Sequence, residues 1–402
     1  MTQTGLHHLS GAALADERTT PRRSLLLLMA VATGLSCAGN YVAQPLLDLV
    51  AHDLGLGGAS AGLVVTAAQA GYALGLMLLI PLGDVLDRRR LAVTLFSATA
   101  ALLAVSAVAP SGPVLLVSTV LTGVTSVGAQ VLVAHAAALA GAATRGRAVA
   151  TVMAGVLLGG LLARTAAGGL AGLGSWRTPY AVLAVLMAGA AVTLHRVLPR
   201  LAVTADLAYG ALLRSTLALL RDEPALRRRA LLGALSFASY SVQLTSLTFL
   251  LARAPYGWST AGIGLFSLIG AVGVLTMTFA ARLGDRGHVQ KVTGSATVLL
   301  LTGWLLLTAG AHHLVWLAAG VVALNIGQQA VLNTSQQVIY ALRPEARNRM
   351  NSAFSTVFFL GGALGSALAT LVWAMAGWTG AAIAGTALAA ATVLVWLHER
   401  SR

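Results

Sequence analysis

The sequence predicts an all-α membrane protein of twelve transmembrane helices in two pseudo-symmetric six-helix bundles, and three observations carry that prediction. The 402 residues are 57% hydrophobic and 9% charged, with a mean hydropathy of +0.82, a composition that soluble domains do not have. Apolar runs recur down the chain at lengths near the ~20 residues that one helical crossing needs. Polar landmarks of the first half return in the second at a nearly constant offset. A single cysteine, Cys37, excludes a disulfide framework, and nine scattered histidines form no ligand cluster, so no metal or cofactor is expected.

The spans, in order, fall near 24–48, 58–82, 91–109, 113–138, 148–172, 178–197, 229–252, 259–281, 292–310, 314–340, 350–376 and 380–397. With both termini placed in the cytoplasm, all but Arg164, Arg177 and Arg253 of the 26 basic residues fall in inner segments, as the positive-inside rule requires. The net charge of +14 is therefore a topology signal rather than a nucleic-acid footprint. Residues 1–23 form a cytoplasmic tail without a leading apolar run, so no cleavable signal peptide is expected. Residues 24–197 form the first bundle, 198–228 a central cytoplasmic linker, 229–397 the second bundle and 398–402 a short cytoplasmic tail. Part of the linker lies as an amphipathic helix on the inner leaflet or runs as a solvated loop.

The internal repeat pairs Tyr41 with Tyr240, Gln44 with Gln243, Gly83-Asp84 with Gly284-Asp285, Arg145-x-Arg147 with Arg347-x-Arg349, Gly159-Gly160 with Gly361-Gly362 and Trp176 with Trp378, at offsets of 199 to 202. On these residues the chain resembles the major facilitator superfamily from Ser24 onward. The family's inner-loop motif, Gly-x-x-x-Asp-Arg-x-Gly-Arg-Arg, is similar to the stretch that holds Gly83, Asp84, Arg88 and Arg89. Ile80, Val85 and Asp87 depart from it, and Gly284, Asp285 and Arg286 repeat its core in the second half. The register with Asp87 in the Asp place is the alternative. In the family this loop meets the neighbouring half and helps hold one access state. The resemblance also implies nested three-helix repeats in each half.

Ten of the twelve Asn and Gln residues within spans lie in spans 1, 4, 7 and 10, the exceptions being Gln69 in span 2 and Asn351 at the first turn of span 11. An unpaired amide is costly in hydrocarbon, so the leading helix of each three-helix unit is expected to face a central wet cavity. Asn40, Tyr41 and Gln44 of span 1, Gln130 of span 4, Tyr240 and Gln243 of span 7, and Asn325, Gln329 and Asn333 of span 10 are the candidate substrate-binding residues. Asn325, Gln329, Asn333, Gln336 and Tyr340 recur on one helix face. Interhelical bonds that merely hold the bundle are the competing reading, and the better one for Gln328 and Gln337.

Span 5 contains Gly155, Gly159 and Gly160 in a pattern similar to the antiporter motif of the drug-exporting branch, with Gly160 where that motif has Pro and Ala163-Arg164 where it has a Gly pair. Arg164 lies 17 residues past Arg147, ~25 Å along a helix, which places a permanent charge in the outer half of the hydrocarbon. It is expected to contact an anionic or hydrogen-bond-accepting substrate group, or to balance a carboxylate; snorkelling to headgroups is the alternative. No carboxylate sits mid-span; Asp48 is the nearest one able to titrate between access states, with capping or solvation at the outer interface as its better reading. No enzyme constellation and no Gly-x4-Gly-Lys-Ser/Thr loop occurs. The resemblance implies a monomeric, multi-pass secondary transporter of the cytoplasmic membrane, exporting a small-molecule substrate in exchange for protons. A facilitator or importer of a sugar-like solute is the alternative that the amides suit.

Overall fold

The computed structural model describes residues 21–56, 58–141, 144–200, 209–270, 272, 288–343 and 346–401. Among them, ten helices are long and apolar enough to cross a bilayer. The last, Arg347–Arg400, contains spans 11 and 12, joined at a kink where Ala376 and Gly377 leave helical geometry. Gly377 has φ 55° there, a region that a side chain would strain. Span 8 is described over Thr260–Phe266 and the 3-10 turn Ser267–Gly270. The end of the bundle at which span 12 finishes and span 7 starts is called here the linker end, and the opposite end the far end.

Two spans are broken rather than continuous. Span 1 runs as Arg23–Tyr41, a 3-10 turn Gln44–Leu46 and a short helix Leu47–Asp53. Pro45 has no N–H to continue the ladder, so carbonyls at this level need other donors. Span 4 divides into Gly112–Thr125 and Gly128–Leu139. Ser36, one turn before Asn40 on span 1, donates to the Ser126 carbonyl at that break (2.7 Å).

Packing within each half depends on glycine. A Cβ on Gly155 would stand 1.9 Å from the Ala30 carbonyl oxygen, and one on Gly159 2.3 Å from that of Gly34, so span 5 lies directly on span 1. Span 11 lies on span 7 in the same manner, with Gly361 against Ala234 and Gly365 against Ala238. Each half has its own apolar core, around Phe96, Leu103, Leu132 and Met187 in the first and Leu300, Trp304, Leu317 and Val331 in the second.

Spans 2 and 11 join the halves, with the Tyr72 and Phe359 rings 4.5 Å apart and Ser352 donating to the Leu76 carbonyl (2.9 Å). Spans 5 and 8 join them at the far end, where Thr165 donates to the Gly264 carbonyl (2.9 Å). At the linker end Arg229, 1% exposed, pairs with Glu399 at 2.9 Å and donates to Thr293 (3.1 Å). Residues Tyr209–Asp222 form a helix that buries Leu212, Thr216 and Leu219, and the Tyr209 hydroxyl donates to the Leu78 carbonyl (2.7 Å).

Candidate functional site

The glycine contact between spans 1 and 5 sets the level at which their polar residues meet. One residue past Gly159, a Cβ on Gly160 would lie 3.4 Å from Cys37 Sγ and 3.6 Å from the Tyr41 ring, ordinary contact distances that place Cys37 and the Tyr41 ring beside span 5. The Arg164 guanidinium sits 4.9 Å from the Tyr41 ring centroid. Its Nε donates to Gln44 Oε1 at 2.6 Å. Arg164 is 8% exposed, and no carboxylate pairs with it among the described residues. A cation at mid-helix in a membrane costs roughly 2.5–3.5 kcal/mol on insertion scales, and the amide and the ring face offset only part of its lost hydration.

Beside this cluster lies a slot between the two halves. Gln44, Pro45 and Arg164 line it from the first half; Leu244, Leu247, Thr248 and Leu251 of span 7 and Ile263, Phe266 and Ser267 of span 8 line it from the second. Its free space is ≈ 20 Å³, about one water molecule, so the halves are closed on each other at this level. Thr248 donates to the Gln44 carbonyl (3.3 Å) across the same interface.

The other predicted residues fall into separate groups. Tyr240 donates to Asn325 Oδ1 (3.0 Å), joining spans 7 and 10. Asn40 is 4% exposed and donates to Gln69 Oε1 (3.1 Å), an interhelical bond to an amide of span 2. Gln243 is fully buried, and neither atom of its amide has a partner. Gln130, Gln329 and Asn333 are half-buried, and Asn333 accepts from Gln337 one turn later (3.1 Å).

In the inner-loop motif, Arg88 donates to the Gly83 carbonyl (2.8 Å) and to the Ala134 carbonyl of span 4 (3.2 Å), and Arg89 to the His195 carbonyl of span 6. Asp87 caps span 3 by accepting from the Arg89 amide (2.9 Å), a use of the residue that departs from the family motif. The Asp84 side chain and Gly284, Asp285 and Arg286 lie outside the described residues. Asp53 accepts from Trp176 (2.8 Å) and pairs with Arg177.

Sequence reading missed the apolar wall of the slot. Leu244, Leu247, Leu251, Ile263 and Phe266 carry no signal that separates them from lipid-facing residues. Thr248, five positions past Gln243 on the same span, and Ser267 of span 8 are the polar residues of that wall.

The model of the Major Facilitator Superfamily matches residues 29–366. The chain belongs to that family. It is 44% identical over 373 residues to the uncharacterized transporter YgaY of Escherichia coli O157:H7, covering 93% of this chain and 95% of that one. It is 35% identical to a chloramphenicol resistance protein of Streptomyces lividans, over 69% of this chain and 71% of the relative. Among solved structures, the human organic anion transporter MFSD10 superposes with a TM-score of 0.71 over 94% of this chain and 99% of that one, at 20% identity, a likeness of fold alone. This superfamily member is thus a multi-pass membrane transporter and not an enzyme.

Proposed function

We propose that this transporter exports a small organic solute across the cytoplasmic membrane by alternating access, in exchange for protons, as a monomer with both chain ends in the cytoplasm. The observation that carries the reading is the slot at Gln44 and Arg164, whose two walls belong to different halves. Rocking one half against the other opens such a site to one side or the other without unfolding either. Tyr41 and Gln44 stand beside Arg164 in this scheme, with Asn40, Gln130, Tyr240, Gln243, Asn325, Gln329 and Asn333 meeting the solute along its path. Arg88 and Arg89 tie the loop of Gly83 and Asp84 to spans 4 and 6 of its own half; its role in holding one access state, with Gly284, Asp285 and Arg286 as its counterpart, rests on the resemblance to the family motif.

Two lines support export. Gly155, Gly159 and Gly160 resemble the antiporter motif, and a relative is named for chloramphenicol resistance, which a transporter can confer by lowering the internal concentration of a toxic compound. The test is flux by purified protein in liposomes under an imposed pH gradient over a panel of solutes. A solute that accumulates with the gradient, and ceases to when Arg164→Ala replaces the wild type, is the expected result. Flux indifferent to the gradient would remove the proton from the scheme, and normal flux through folded Arg164→Ala would remove the site.

A further inference from the structure

We infer that the slot binds the carboxylate of an amphipathic organic monoanion. The inference rests on the transporter reading and names its substrate class.

The polar side of the slot is rich in spare donors. Arginine only donates, so the Gln44 amide must turn Oε1 towards Arg164 Nε, as observed at 2.6 Å. That orientation leaves Gln44 Nε2 as the free end of the amide, and it is buried without a partner. The two Nη groups of Arg164 have no hydrogen-bond partner among the described residues. What the first half offers is therefore a guanidinium edge and an amide N–H, beside a fixed positive charge that no carboxylate of the described residues neutralises. Two carboxylate oxygens match a guanidinium fork in geometry and in charge. A neutral amide supplies one acceptor oxygen and adds donors of its own. An ammonium adds both donors and a like charge.

The opposite wall is apolar. Leu244, Leu247, Leu251, Ile263 and Phe266 face the same space, and an apolar ligand body against them keeps water from the ion pair, which strengthens it. The two walls belong to different halves, so charge and apolar body are read by different halves; with ≈ 20 Å³ free between them in the present closed arrangement, the halves must part to admit the ligand and then close on it less tightly than they do without it. A single negative charge brings the site to neutrality; a second would be left unpaired in the hydrocarbon.

The experiment uses full-length protein in detergent, its thermal midpoint followed by tryptophan fluorescence. The probes are cyclohexanecarboxylate and the linear carboxylates from butanoate to octanoate, with the matching carboxamides and alkylammonium ions. Wild type should be stabilised by the longer or cyclic carboxylates with an affinity about tenfold or more above the matched amides, and not by the ammonium ions. Arg164→Gln should lose the preference for carboxylate over amide. Arg164→Lys, which keeps the charge and loses the fork, should retain the preference at reduced affinity, and so reads the site even if Arg164→Gln folds poorly. Equal stabilisation by carboxylate and amide, or none by any carboxylate, overturns the inference. Liposome flux with the same probes separates the two readings: transport of an amide as fast as its carboxylate sinks this one alone, and carboxylate-selective binding without any flux sinks the transporter scheme alone.

Discussion

In the first half, Gly155 and Gly159 lay span 5 on Ala30 and Gly34 of span 1; in the second, Gly361 and Gly365 lay span 11 on Ala234 and Ala238 of span 7. The residues just past these contacts differ in kind. Arg164, matched in the repeat to Ser366, donates to Gln44 over the Tyr41 ring. Ser366 instead shares a hydrogen bond with Thr245 (3.1 Å), and Gln243, the match of Gln44, is buried with no partner. The close contact in the second half extends one turn further, to Gly365, at the level where the first half holds Ala163 and then the guanidinium. A steric plan that tolerates no side chain was kept in both copies. The polar group it positions was free to change in one, because a single added cation needs only a ring, an amide and a slot beside it.

The largest effect tests the shared plan. Gly159→Val and Gly361→Val each drive a side chain into a backbone carbonyl, and each should cost more than the roughly 1–3 kcal/mol of ordinary overpacking, visible as loss of monodisperse protein. If only one of the two does so, the halves are not built alike. Next comes the linker end, where the second half buries Arg229 with Glu399 while the first ties Arg89 to a carbonyl. Arg229→Met should lower stability by about 3–5 kcal/mol, and Arg229→Met with Glu399→Met should recover most of that loss. Thermal midpoints of both variants check this. The smallest effect separates the matched glutamines. Gln243→Leu removes an unpaired buried amide and should raise stability by about 1–3 kcal/mol, with lower flux if the amide serves another access state. Gln44→Leu should lower stability, since it takes the acceptor away from Arg164.

Much of this comparison was legible before any coordinates. The offset paired Gly159-Gly160 with Gly361-Gly362, though it did not say which helices they lie on, and the position of Arg164 relative to Arg147 placed a charge in the outer half of the hydrocarbon. The alternation of Asn and Gln between spans was legible too, but not its use. Asn40 spends its amide on Gln69 and Ser36 spends its hydroxyl on the break in span 4, both interhelical contacts that side-chain type alone does not distinguish from cavity lining.

Span number, repeat and family follow from the linear order of apolar and charged residues, because each helix must satisfy its backbone within itself and meets the bilayer one segment at a time. Which donors stay unpaired is decided between helices. Gln44, Arg164, Leu247 and Phe266 share one slot only because spans 1, 5, 7 and 8 converge there, and that convergence depends on glycine contacts and helix breaks whose consequences appear in three dimensions.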